Sequence, residues 1–405
     1  MLSWQQAREK VIEVVRTRMS RRGRGRVRIE KALGRVLAAP VIADRDQPAF
    51  PRSIRDGFAV RAADASRIPA EFDIVAEIKA GSSYDRTIGH GQAARIMTGA
   101  PVPEGADAVA MVEHTRQISE TRVAVERPLR PGQHIVARGA EARAGQKLLD
   151  PGRRIGFGEL ALLGEVGQAQ VRVFRQQRVA VLSTGDEIVP VDREPGPFQI
   201  RDTNSLSLCS QVALAGARAM LVGRAVDETQ ALDERIRQGL GADLLVLSGG
   251  VSKGKYDLVE NVLHDLGAEF YFDAVAIRPG RPAVFGWCAG KPVFGLPGNP
   301  VSTMVTFELL VTPAIDLLSG TEPRPLPLVP ARLTVPLDEK EGLAHFLPAR
   351  LEWTAEGIEA RPVPWRGSGD LAGMAQANGF IVVPPDRPQW QAGETIEALL
   401  RRDLV

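Results

Sequence analysis

The sequence predicts a multidomain α/β plus β chain. Its centre is a three-layer α/β domain with a mostly parallel sheet, joined by a β-rich inserted domain, an N-terminal helical linker element and a C-terminal small β-barrel. Three observations lead there. The 405 residues exceed what one hydrophobic core covers. Between Arg178 and Gly320, apolar strand-like runs alternate with helical patterns, the order of a parallel sheet with crossover helices. On either side of that region lie short alternating runs separated by glycine and proline, and the 40 glycines and 29 prolines of the chain supply the corners such β-structure needs.

The elements follow in order. Ala7, Val11, Val14 and Val15 fall at helical spacing within residues 4 to 19, and Ile29, Leu33, Val36 and Leu37 in IEKALGRVLAAPV repeat the pattern, so two helices are expected to open the chain. From Phe50 to about Leu149, runs such as DIVAEI and TRVAVE alternate between turn signals such as APVPEG and RPGQH. RIGFGELALLGEVG then reads as a helix, so the β-rich part is an insertion whose ends rejoin. VAVLS, AMLVGRAV, DLLVLS and KPVFGL read as central strands, with helical patterns between them and after the last. The proline-rich TEPRPLPLVP is a linker, after which FLPARLEW, the turn TAEG and IEARPVPW form a hairpin of a small all-β domain. The expected domains are 1–48 with 145–177 (helical linker), 49–144 (β-rich insertion), 178–322 (α/β) and 328–405 (β-barrel).

A net charge of +2 gives the whole chain no pull toward nucleic acid or anionic lipid. The local exception is RTRMSRRGRGRVR, with seven arginines between Arg16 and Arg28. No aromatic residues interleave with those charges, so the run reads as a solvated loop after the first helix rather than a nucleic-acid interface. Cys209 and Cys288 form no CxxC pair, which indicates neither a disulfide framework nor a zinc site and fits a reducing, cytoplasmic compartment. No run reads as long and smooth enough to span a bilayer, and no membrane association is expected.

In a parallel α/β sheet, ligands sit beyond the carboxyl ends of the strands. There GLPGNPVSTMVTFELL, Gly295 to Leu310, places Asn299 to serve as N-cap and Pro300 at the first helical position, so free N–H groups and a positive dipole end face the binding edge. DLLVLS runs into SGGVSKGKYD, where Gly249, Gly250 and Gly254 allow close backbone approach beside Ser248 and Ser252. RVAVLS runs into STGDE, with Ser183, Thr184, Gly185, Asp186 and Glu187. Three polar, glycine-bearing loops on one edge make a nucleotide- or phosphate-sized cleft. Asp186, Glu187, Asp202, Asp227 and Asp257 fall at strand ends or helix starts and are hard oxygen donors that suit Mg²⁺ held with phosphates. Helix capping is the plainer reading of Asp202 and Asp227. Arg278 and Arg281 in IRPGRP flank a turn and could clamp an anion. His90, His114, His134, His264 and His345 are scattered without ligand spacing, and the GxSxG, HExxH, GxxxxGK[ST] and GxGxxG patterns are absent.

The segments PRSIRDGFAVRAAD, RIMTGAPVPEGADAV, VAVLSTGDEIV, IRDTNS, LSGGVSKGKYD, IRPGRPAVFG, GLPGNPVS and GSGDLAGMAQANGFIVVP span almost the whole chain. In these it resembles the molybdopterin molybdenumtransferases, a family that includes the C-terminal domain of gephyrin. The resemblance implies an enzyme that takes adenylylated molybdopterin and molybdate, transfers the metal to the dithiolene sulfurs and releases AMP with the help of Mg²⁺. It implies a homodimer in which Asp56 and Thr98 of one subunit face the loops of the other, and it leaves room for other proteins of molybdenum cofactor biosynthesis as partners. By that match Asp56, Thr98, Glu187, Asp227 and Asp257 hold catalytic positions, with Glu187 and Asp257 on the metal. Ser183, Thr184, Gly185, Asp186, Asp202, Ser248, Gly249, Gly250, Ser252, Arg278, Arg281, Pro297, Gly298, Asn299, Pro300, Ser302, Arg350 and Ser368 hold substrate-binding ones. The chain departs from the family pattern where lysines usually stand at Arg278 and Arg281, methionine at Arg55, an apolar residue at Lys253 and an acidic pair at Ala140 and Glu141. Two rival readings are the sibling adenylyltransferase, which resembles the α/β domain alone, and a gephyrin-like scaffold. The segments flanking the α/β domain weigh against the first, and Asp56, Glu187 and Asp257 weigh against the second.

Overall fold

The computed structural model describes residues 1–20, 23–82, 84–250 and 258–404. Its central sheet has six strands in the spatial order Arg218–Ala225, Arg178–Thr184, Leu244–Ser248, Lys291–Leu296, Val284–Cys288, Glu269–Phe272. The first four are mutually parallel, and Val284–Cys288 runs antiparallel to both of its neighbours. Alternate residues feed two separate cores. Val179, Val181, Leu244 and Val246 face helices Trp4–Arg18, Asn204–Leu214 and the long helix from Pro300, whereas Ala180, Leu182, Leu245 and Leu247 face helices Thr229–Leu240 and Leu258–Asp265. Period-two burial on both faces is why these strands read as unbroken apolar runs.

The first helix belongs physically to this centre. Ser3 and Gln6 form a capping box, and Trp4, Ala7, Val11, Val14 and Val15 are buried in the same core as Phe307 and Leu310. The helix from Pro300 to Ser319 carries a π turn at Phe307–Val311 just before Pro313. Proline has no N–H to give the carbonyl of Leu309, four residues back, and the Arg8 guanidinium donates to that oxygen at 2.9 Å instead. By length and composition this helix could cross a membrane, contrary to expectation, but most of it is buried within the protein. Its apolar surface is used by the core.

The β-rich insertion is a six-stranded mixed sheet in the order 108–111, 57–60, 92–96, 70–78, 122–125, 115–119. Its ends rejoin through strands rather than helices. Arg24–Arg28 pairs antiparallel with Gln170–Phe174, and Val41–Ile42 with Lys147–Leu149. The helix expected over IEKALGRVLAAPV is therefore absent, as is the plain loop expected for the whole arginine run. Only Ile29–Lys31 makes a single 3-10 turn. Gly34 sits at φ +73°, and Val36 and Leu37 bridge Arg154 and Val173 in extended form. The apolar spacing suits a helix, but the chain buries Leu37, Val41, Val171 and Val173 beside Leu163 by ribbon pairing. Helix Phe157–Glu165 forms as expected.

The C-terminal domain is a closed five-stranded barrel of Leu328–Leu333, Ala344–Thr354, Gly357–Pro362, Gly379–Val383 and Thr395–Leu400. Thr354 opposite Gly357 closes the expected hairpin. Ile277–Arg278 pairs with Ala344–His345 and so ties the barrel to the α/β domain.

Where the linker element meets the central sheet, Asp243 accepts from the Arg175 guanidinium at 2.6 Å and from the Arg178 backbone N–H at 2.7 Å. Burial pushes the Asp243 carboxyl up, but these two donors outweigh it and hold the pKa below its ordinary value. A depressed carboxyl pKa adds stability above the unfolded value and loses it as pH falls through the folded one. Asp243→Asn is thus expected to lower the melting temperature at pH 7, with the difference from wild type closing as pH drops below the ordinary aspartate range. Melting curves across that range check it.

Candidate active site

Three strand ends build one rim. Ser183 lies opposite Ser248, and Ser248 opposite Leu296, so the loops after all three strands leave the same edge. The loops touch: the Gly249 N–H donates to the Leu296 carbonyl at 3.1 Å, and a Cβ on Gly298 would lie 3.6 Å from the Gly249 Cα. Gly249 and Gly250 have φ of +93° and +65°, a region that favours glycine.

Beyond this rim opens a cleft of about 870 Å³. Of the residues singled out in the sequence, Thr184, Gly185, Glu187, Asp202, Asp227, Ser248, Gly249, Gly250, Pro297, Gly298, Asn299 and Pro300 line it. Asp257 and Ser252, with Lys253, lie outside the described residues.

The other expected residues sit elsewhere. Ser183 is buried below the cleft, its hydroxyl bonded to Asp202 at 3.1 Å and Ser205 at 2.8 Å. Ser302 is buried one turn into the helix, where its carbonyl accepts from the Thr306 hydroxyl. Asp186 stands beside the cleft and accepts from the Asp227 N–H at 3.0 Å. Arg278 and Arg281 are exposed, with Pro282 reaching the cleft next to them. Arg350 is exposed on the barrel, directly opposite Arg361. Asp56 and Thr98 meet in the insertion, where Asp56 Oδ1 accepts from the Thr98 N–H at 2.7 Å and hydroxyl at 2.8 Å. Those two donors hold the Asp56 carboxyl below its ordinary pKa. Neither residue lines this chain's own cleft.

The helix N-terminus is less open than its sequence implies. Asn299 occupies the N-cap position and Pro300 follows, but the Asn299 side chain donates to the Ser368 hydroxyl at 2.8 Å instead of capping. The Val301 N–H donates to the Ser368 carbonyl at 3.0 Å. The loop carrying Ser368 is fixed by Asp370, which accepts the N–H groups of Arg366 and Gly373 at 2.9 Å each. A barrel loop thus takes part of the donor set that a separate α/β domain would leave free.

The carboxylates divide into two kinds. Asp202 is a cap, accepting from the Ser205 N–H at 3.0 Å and hydroxyl at 2.6 Å. Asp227 is not. Burial, then the negative charge of Asp186 and of Glu187, pushes its carboxyl above the ordinary value, and no basic side chain among the described residues pairs with this trio. Among the described residues no three His, Cys, Asp or Glu side chains gather as a metal site.

Two polar residues of IRDTNS were not singled out in the sequence. Arg201 lines the cleft and brings positive charge to it. Asn204, 7% exposed, donates to the Ser248 hydroxyl at 2.8 Å and the Gly298 carbonyl at 2.7 Å, pinning two rim loops together. Among the described residues, its Oδ1 and the Thr184 hydroxyl have no hydrogen-bond partner. Asn204→Leu is expected to destabilise the protein by about 1–3 kcal/mol, because Ser248 and Gly298 lose a buried donor. Denaturant titration measures this.

Fold and cleft together define a class: a multidomain protein whose parallel sheet presents a glycine-lined ligand cleft beyond the carboxyl ends of its strands. Three family models match in tandem, the MoeA N-terminal region (domains I and II) over residues 2–167, a probable molybdopterin-binding domain over 180–317, and the MoeA C-terminal region (domain IV) over 330–400. A molybdopterin molybdenumtransferase of Bacillus subtilis strain 168 is 34% identical over 385 residues, covering 93% of this chain and 90% of the relative. One of Nostoc sp. strain PCC 7120 is 37% identical over 369 residues, covering 87% and 83%. The crystal structure of a molybdopterin biosynthesis MoeA protein from Pyrococcus horikoshii superposes with a TM-score of 0.76 at 36% identity, over 97% of this chain and 98% of that one. The chain belongs to the molybdopterin molybdenumtransferase (MoeA) family, and is an enzyme of molybdenum cofactor biosynthesis.

Proposed function

We propose that the chain transfers molybdenum from molybdate to adenylylated molybdopterin with release of AMP, and that it works as a cytoplasmic homodimer. The observation that carries this reading is the convergence of the Thr184–Gly185, Ser248–Gly250 and Gly298–Asn299 loops on one cleft that also holds Glu187, Asp227 and Arg201. Close backbone approach at the glycines and the Arg201 guanidinium suit an anhydride's phosphoryl oxygens. Molybdate, as the oxyanion substrate, asks for the same donors. Arg278 and Arg281 add positive charge outside the rim. Glu187, with Asp257 by family resemblance, would hold Mg²⁺. That ion, when bound, would neutralise charge on the phosphates as the anhydride opens. Asp227 lines the same cleft and adds a further carboxylate to its acidic side.

Asp56 and Thr98 do not line the cleft of their own chain, which supports their reaching the partner's. The expected result follows from mixing. Asp56→Ala and Asp227→Asn are each inactive, but randomly mixed subunits recover about a quarter of the wild-type rate, because half the dimers then carry one intact composite site. If no activity returns on mixing, the site lies within one subunit.

The reaction itself is tested by incubating the purified protein with adenylylated molybdopterin, Mg²⁺ and molybdate, and measuring AMP and reconstitution of an apo-molybdoenzyme. Both are expected to appear together and to need molybdate. Efficient adenylylation of molybdopterin from ATP, without molybdate, would instead mark the sibling adenylyltransferase. No turnover of either kind would favour a scaffold.

A further inference from the structure

The linker ribbon has a charge arrangement that the cleft does not use. Arg26 stands directly opposite Arg172 in the antiparallel pair Arg24–Arg28 and Gln170–Phe174, with Arg24 opposite Phe174. Val171 and Val173 turn into the linker core, so the alternate positions Arg24, Arg26, Arg28 and Arg172 share the other face. All four are exposed. Arg28 is neutralised by Glu30 at 2.7 Å, and the Arg24 guanidinium lies 5.8 Å from the centroid of the Phe174 ring. No carboxylate among the described residues pairs with Arg24, Arg26 or Arg172.

The face is also concave. Two neighbouring clefts, of about 610 and 490 Å³, both include Arg26 and Arg172 and share Ala39 and Pro40, and no aspartate or glutamate lines either. Asp150, next to the lining Pro151, is held by Lys147 at 2.6 Å. Like charges directly opposite across a strand pair repel, and no carboxylate among the described residues relieves the repulsion between Arg26 and Arg172.

We propose that this ribbon is a second anion site, separate from the active cleft, which binds a small polyphosphate through Arg24, Arg26 and Arg172. Adjacent phosphoryl groups offer oxygens to both opposed guanidiniums at once, and forked, charge-assisted bonds of that kind are the strong ones. Single-stranded nucleic acid fits less well, because it binds by stacking on exposed rings and the ribbon's ring among the described residues, Phe174, is buried and already lies under Arg24.

The test uses the full-length protein and inorganic tripolyphosphate as probe, followed by calorimetric titration. Wild type is expected to bind at two places, the cleft and the ribbon. Arg26→Gln/Arg172→Gln is expected to keep the cleft site and the AMP-release rate while weakening the ribbon site at least about tenfold, the loss of one or more charge-assisted bonds. Without anion, the double variant is expected to melt at the same temperature as wild type or higher, since a repulsion is gone. An equal stoichiometry in wild type and variant overturns the proposal. So does tighter ribbon binding of a single-stranded oligonucleotide than of tripolyphosphate at equal phosphate. A loss of AMP release in the double variant also overturns it, because the ribbon would then not be separate from the active cleft.

Discussion

Asp316→Ala is expected to lower the stability of the folded chain by about 3–5 kcal/mol, the cost of stripping the partner from a buried ion pair. Asp316 is fully buried. Its carboxylate accepts from Arg154 at 2.9 Å, from the Arg324 guanidinium at 2.9 Å and 3.1 Å, and from the Arg324 backbone N–H at 2.9 Å. Arg154 comes from the linker element, Asp316 from the long central helix, and Arg324 from the segment leading to the barrel, so one side chain joins three parts of the molecule. Burial and the neighbouring Arg324 charge already push the Arg154 guanidinium below its ordinary pKa. Alanine would leave two half-buried guanidiniums facing each other. Asp316→Asn keeps the shape without the charge and should fall between. Chemical denaturation measures both; a loss below about 1 kcal/mol, typical of an exposed pair, would contradict the account.

The largest effect on activity is expected from Gly249→Ala. A Cβ there would lie 2.5 Å from the Thr184 carbonyl oxygen and 3.0 Å from its hydroxyl, and the backbone sits at φ +93°. The obstacle is backbone of the neighbouring rim loop, not the end of a flexible side chain. Either the Gly249 loop or the Thr184 loop must therefore move. Misplacing reacting groups by about 1 Å costs about 100-fold, so AMP release should fall by that much, beside a stability loss of about 1–3 kcal/mol from the strained backbone. Gly298→Ala is the control, since its nearest added contact is an ordinary 3.6 Å from the Gly249 Cα. Equal rates for the two variants would remove the tight rim from the mechanism.

What the sequence made legible follows from how local each signal is. The central strands announce themselves because both faces are buried, and the rim loops because glycine and proline mark where strands end. Ile29, Leu33, Val36 and Leu37 carry a helical spacing, and only the bridges of Val36 to Arg154 and Leu37 to Val173, distant in the chain, hold that segment extended. Distance also hid the covering of the Pro300 helix terminus by Ser368. Asp202 and Asp227 look alike in sequence, each just before a helix. Contacts alone separate them, Ser205 for the cap and the charges of Asp186 and Glu187 for the cleft residue. Asn204 lay in a segment already noted, but its bridge to Ser248 and Gly298 exists only once three loops meet.

A crystal structure of the protein with AMP bound tests the central claim most directly. The phosphate is expected between the Thr184–Gly185, Ser248–Gly250 and Gly298–Asn299 loops, with Arg201 and Asp227 beside it. AMP held anywhere other than this rim, with the cleft filled only by solvent, would contradict it.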